Sequence, residues 1–165
     1  MMQWFDVASA SIAIACIGVV VAAIFAVLQL RDQNQTRQAQ LFMEIYDQFY
    51  TPEFNQRWMR LVYTISDDEW IDPDGTPKWL RGEIDTFVEI NALSCFFEGI
   101  GLLVFKKLID IDLVAQLMST PIVLTWNKIN KHVSRTREML GRPQVYEWFE
   151  YLNNRVQNIP SRRSQ

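Results

Sequence analysis

Before Arg31 the chain contains no lysine or arginine, and from Val7 to Leu30 it contains no charged residue at all. The first absence removes the basic opening of a secretory signal, and the apolar run exceeds the roughly 7–15 residues of a signal core. The segment FAVLQLRDQ also offers no small-residue cleavage site, so the run is expected to be retained. No proline precedes Pro52, and no glycine falls between Gly18 and Gly75. Nothing over that range therefore breaks a helix. Histidine occurs once, at His132, and cysteine twice, at Cys16 and Cys95. Such scarcity supplies neither the ligand cluster of a metal site nor the partners of a nucleophile, and both thiols are expected to be buried. Glycine-rich phosphate loops, the G-x-S-x-G elbow and H-E-x-x-H are missing, so no cofactor, metal or catalytic residue is implied. All sixteen basic residues follow the apolar run together with eighteen of the nineteen acids. That near-neutral balance lacks the field of a nucleic-acid binder. No stretch alternates with period two, and the expected fold class is all-α.

What is present is the run itself, VASASIAIACIGVVVAAIFAVLQL. As a helix it is about 36 Å long against a hydrocarbon core of about 30 Å, enough to span with some tilt. Val, Ile, Leu or Phe fills twelve of its positions, and together they favour insertion by about 4–7 kcal/mol. Arg31 and Arg37 come after the span while only Asp6 precedes it. The positive-inside rule then puts the short N-terminus outside, Trp4 and Phe5 at the outer interface, and the C-terminal part in the cytoplasm. Ser11, Ala15, Gly18, Ala22 and Ala26 make a small-residue face that meets either lipid or another helix in close packing.

The polar segment 31–40 contains no Gly or Pro, so the span is expected to continue as a stalk through about Tyr50, a loose glutamine-rich linker being the alternative. Leu41, Phe42, Ile45, Tyr46 and Phe49 share one face of it. Thr51-Pro52-Glu53 is a helix start, followed by Phe54, Trp58, Leu61, Val62 and Ile65 at helical spacing. Residues 66–76 read as a loop. Thr76-Pro77 repeats the start signal, and a helix is expected from Pro77 to about Leu108 with Leu80, Ile84, Phe87, Val88, Asn91, Cys95, Glu98 and Leu102 on one face. Its apolar stretch, interrupted by Glu98, suits a core helix better than a second span. Short helices over 111–119 and from Pro121 to Gly141, and a last one from Pro143, complete the pattern. The expected domains are an outer N-terminus (1–6), the transmembrane helix (7–30), the stalk (31–50), a compact bundle of five or six helices (51–158) and a tail (159–165).

Within the bundle, Asn91 and Glu98 stand seven residues apart on the most apolar helix. A carboxylate there needs a partner, and Arg135, Arg137 or a Trp or Tyr donor would supply one; a small polar pocket is the functional alternative. Lys128, Lys131 and Arg135, with Arg142 nearby and Lys106 and Lys107 besides, form a basic stripe that is either a solvated face or a contact for anionic lipid. His132 lies among them and is expected at the surface.

The segments LQLRDQ, AQLFMEIYDQFYTPEF, FFEGIGLLVFKKLID and RPQVYEWFEYLNNR together resemble a prokaryotic family of short membrane-anchored helical proteins, defined only as a domain of unknown function. The resemblance implies the same architecture and a bacterial or archaeal source, and carries over no activity or site residue. The expected function is a non-enzymatic membrane-anchored module that binds a protein partner or itself. An accessory subunit of a larger membrane complex, and a sensor or enzyme with a pocket near Glu98, are the alternatives.

Overall fold

The computed structural model describes residues 2–66, 69–82 and 84–159, with side chains described from Val19 onward. Among the described residues there are five α-helices and no strand: α1 (Met2–Phe49), α2 (Pro52–Met59), α3 (Asp85–Phe105), α4 (Ile111–Leu140) and α5 (Glu147–Gln157). The chain divides into two compact units, Met1–Gln38 and Ala39–Gln165.

The first unit is helical from Met2 onward, as a stretch without interior proline allows. From Val19 to Leu30 every described side chain is exposed, Val19 by 70% and Phe25 by 67%.

The second unit begins at Ala39, so residues 39–49, expected in the stalk, belong to it. Phe42 and Phe49 are fully buried, while Glu44, Asp47 and Gln48 on the opposite side are exposed. Phe49 is a hub: its ring centroid lies 5.6 Å from Phe54, 5.7 Å from Trp58 and 5.9 Å from Phe97. Phe97 stacks on Phe149 at 4.9 Å, and Trp126 meets Phe149 edge-on at 5.2 Å. A continuous aromatic core thus joins α1, α2, α3, α4 and α5.

Pro52 opens α2 as expected, although the Thr51 hydroxyl donates back to the Gln48 carbonyl (2.9 Å) and caps nothing. The helix widens into a π-helical turn, Arg60–Thr64, which buries Leu61. Trp58 donates through Nε1 to Thr125 Oγ1 on α4 (2.9 Å), and that hydroxyl donates to the Pro121 carbonyl (2.6 Å).

Four sequence expectations need correction here. The helix foreseen from Pro77 is only a 3-10 turn, Lys78–Arg81, closed by Gly82 at φ +93°. Glycine enters this left-handed region without steric cost and ends the turn, so α3 starts afresh at Asp85. Next, 111–119 and 121–141 are one helix, α4, with Pro121 inside it. Proline in a helix costs about 3 kcal/mol, but Met118 and Ile122 beside it are fully buried at about 1.5–3 kcal/mol each, which holds the helix together. Third, α5 starts at Glu147 and not at Pro143, because Tyr146 before it is left-handed (φ +55°). Finally, the core face of α3 is Ile90, Leu93, Phe97, Ile100 and Val104; Leu80, Ile84, Val88, Cys95 and Leu102 are exposed. The helix is apolar nearly all round, so periodicity alone does not select its inner side.

By length and composition α3 is long and apolar enough to cross a membrane. In this unit it packs on α5 and α4. The ends of α3 and α4 share one device: Leu108 N–H bonds the Leu103 carbonyl (2.9 Å) around Lys107 at φ +58°, and Arg142 N–H bonds the Arg137 carbonyl (3.1 Å) around Gly141 at φ +61°.

Candidate functional site

Asn91 and Glu98 both face α5, and each is engaged by it. Tyr146 Oη donates to Asn91 Oδ1 at 2.7 Å, and the Phe149 amide donates to Glu98 Oε2 at 2.7 Å. Phe149 is the third residue of α5, where a helix normally takes a bond from its own N-cap side chain. Tyr146 occupies that cap position and has no side-chain bond to the helix. Glu98 supplies the missing acceptor from the neighbouring helix, and its charge faces the positive end of α5. Gly101, one turn further along α3, completes the clasp: a Cβ there would overlap the Trp148 carbonyl.

Burial raises the Glu98 carboxyl above its usual range and Glu147 adds to this, while the Phe149 and Trp148 amides and Arg137 pull the other way. Burial pushes the Tyr146 phenol up to about 12, assisted by Cys95 and Glu98. Cys95 is exposed, contrary to expectation, because it lies on the outer side of α3. Its thiol is nevertheless raised, first by desolvation and then by Glu98, and donates to Asn91 Oδ1 at 3.7 Å. A thiol held protonated is a poor nucleophile. The polar atoms of this seam serve one another, so its chemistry is fastening. Glu98→Ala should cost about 1–2 kcal/mol in thermal unfolding of the purified chain, with Glu98→Gln recovering part of it. An unchanged melting temperature for Glu98→Ala would remove the clasp.

His132 is a second correction: it is buried, with 2% exposure. Its ring lies 5.1 Å from Trp70 and 6.4 Å from Phe87, and Trp79 lies 5.1 Å from Phe87. Nε2 lies 3.5 Å from Thr136 Oγ1, while among the described residues Nδ1 has no hydrogen-bond partner, nor have the indole nitrogens of Trp70 and Trp79. The gap that these rings share is too narrow for a water molecule. Burial lowers the imidazole to about 4. The neighbouring charges Lys128, Lys131 and Arg135 suggested exposure, but Ile129 and Val133 mark the inner side of α4, and His132 and Thr136 continue it.

A family model described as "Domain of unknown function (DUF4760)" matches residues 14–156. The chain belongs to this family. The DUF4760 match covers α2, α3 and α4 entirely and α5 through Val156. No curated protein and no solved structure matches.

Elsewhere in this DUF4760 chain, four basic residues of the expected stripe lie on α4 or just after it. Lys131, Arg135 and Arg142 are exposed and Lys128 is half-buried. Arg135 pairs with Glu138 at 3.1 Å on the same helix, a surface contact of little energetic weight. Arg137, inside the fold, instead bonds Glu150 Oε2 (2.8 Å) and the Val145 carbonyl (2.9 Å), fixing the link between α4 and α5. On α1, Ala22 and Ala26 are exposed; the side chains of Ser11, Ala15 and Gly18 lie outside those described. Among the described residues no His, Cys, Asp and Glu group has the makings of a metal site.

Proposed function

We propose that the protein is a single-pass membrane-anchored helical module that acts at the cytoplasmic face, binding a protein partner or a second copy of itself without catalysis. One observation carries the anchor: between Val19 and Leu30 eight large apolar side chains are 45–70% exposed on a helix that carries no charge from Val7 to Leu30. Water penalises such a surface by about 25 cal/mol per Å², and a bilayer removes the penalty. Arg31 and Arg37 favour the cytoplasmic side for the second unit. The fastening role of Asn91, Glu98 and Tyr146, and the raised Cys95 thiol, support binding over catalysis.

Alkaline carbonate should leave the full chain in the membrane pellet and release a variant lacking 7–30. Recovery of the full chain in the supernatant would overturn the anchor. Crosslinking in native membranes should give a discrete adduct, at twice the chain mass if the partner is a second copy; absence of any adduct would overturn the interaction reading.

A further inference from the structure

Residues 69–82, between the π-helical turn and α3, are knitted together by their own main chain. Ile71 pairs with Pro77 in an isolated bridge, the Lys78 amide donates to the Trp70 carbonyl (3.0 Å), and the Asp72 amide donates to the Thr76 carbonyl (2.9 Å). Arg81 pairs with Asp72 at 3.2 Å and with Asp74 at 3.4 Å. The segment meets the bundle through rings, Trp70 against His132 on α4 and Trp79 against Phe87 on α3. It is a pre-formed strap pressed down by two tryptophans, and left-handed Gly82 turns the backbone before α3 begins.

This contact is poorly satisfied. Among the described residues, His132 Nδ1 and the indole nitrogens of Trp70 and Trp79 are buried at it without a hydrogen-bond partner. The gap between the rings, also lined by Thr86 and Ile90, admits no water. The closed state therefore forgoes three hydrogen bonds that solvent supplies once the strap lifts. Contacts of this kind belong to the parts of a fold that open locally.

We propose that residues 69–82 are an acid-released strap: protonation of His132 lifts Trp70 and Trp79 off α3 and α4 while the helices stay folded. Within a turn of the gap the charged groups are Asp85 and Glu89 on α3, and Lys128, Lys131 and Arg135 on α4. The strap itself carries Glu69, Asp72, Asp74, Lys78 and Arg81. Arg81 takes Asp72 and Asp74, Arg60 takes Glu89 (3.1 Å), and Glu69 accepts the Ser66 amide (3.1 Å). Among the described residues no carboxylate bonds the imidazole, so an imidazolium there has burial against it and nothing to offset that. Closed, the ring takes a proton at about 4; lifted into water, it does so near 6.5. Opening should therefore become about 20-fold more frequent between pH 7 and pH 5. The strap is a property of the second unit and holds whether or not the first crosses a membrane.

Thiol labelling of the full purified chain by dithiodipyridine, which reacts in acid as well as at neutral pH, tests this. Cys16 and Cys95 are replaced by serine, and one cysteine is placed by Ile90→Cys in the gap, by Ser94→Cys in the core one turn along α3, or by Ser134→Cys on the surface as reference. Relative to 134, labelling at 90 should outpace that at 94 by about 10-fold or more and should rise about 20-fold from pH 7 to pH 5. The rise should vanish in His132→Phe. Equal rates at 90 and 94 would mean that the whole unit unfolds together, which overturns the strap and leaves the acid sensitivity of the fold standing. A rate at 90 indifferent to pH, or a rise that survives His132→Phe, also overturns it. Thr86→Cys lines the same gap and replaces Ile90→Cys if circular dichroism shows that variant unfolded; His132→Gln stands in for His132→Phe on the same ground.

Discussion

Gly101→Ala is expected to destabilise the second unit by about 3 kcal/mol, whereas Gly99→Ala, two residues earlier on the same helix, should stabilise it by about 1 kcal/mol. Both glycines carry the backbone entropy cost of residues without a side chain in a helix. At Gly99 an added Cβ meets nothing within 4 Å, so the helix gains the propensity of alanine at no cost. At Gly101 the added carbon runs into the Trp148 carbonyl, which is main chain and cannot swing aside like a flexible side chain. α5 must then move away from α3, stretching the Glu98 bond to Phe149 and the Tyr146 bond to Asn91. Thermal unfolding of the purified chain by circular dichroism reads both variants. Equal melting temperatures for the two would show that the close approach of α3 and α5 is not a constraint.

Acid should unfold the protein through His132. In the unfolded chain the imidazole takes a proton near pH 6.5; in the fold it does so only at about 4, because burial disfavours its charge. Between these values the unfolded state binds more protons, so stability falls as pH drops from about 6.5 to about 4 and levels off below. The shift corresponds to about 3 kcal/mol. Glu98 acts with the opposite sign, since its raised carboxyl lets the folded state take up a proton first. Comparison with His132→Phe isolates the histidine: the phenyl ring preserves the packing on Trp70 and Phe87 and removes the titrating group. The variant should match the parent near neutral pH and lose most of its acid sensitivity. A parent that melts at the same temperature at pH 4.5 and 7 would contradict this account.

Local signals on the chain were right at some positions and not at others. Pro52 starts α2 and Gly141 ends α4 in the left-handed region, but the same proline signal at Pro77, Pro121 and Pro143 does not open an α-helix. Binary patterning likewise found the inner face of residues 41–49, where apolar and charged side chains alternate with a clear helical period. It failed on α3 because Ile84 and Val88 on the outside look like Ile90 and Leu93 on the inside. Position is decided there by α5, which lies far along the chain. The clasp was half legible: a polar pair on an apolar helix announced that partners were needed. That one partner is a main-chain amide could not be read, since amides leave no mark in a residue pattern. His132 was misplaced for the complementary reason, that charged neighbours on the outer side of α4 drew attention from the apolar residues flanking it.

Phe42 and Phe49 bear on how this protein can be taken apart. Both rings are wholly enclosed by the second unit, yet they belong to the helix that begins at Met2. A shortened version starting at Thr51 forfeits two such rings, each worth about 3–5 kcal/mol, from a total that for ordinary domains is about 5–15 kcal/mol. Any truncation series or hybrid should therefore be cut upstream of Ala39.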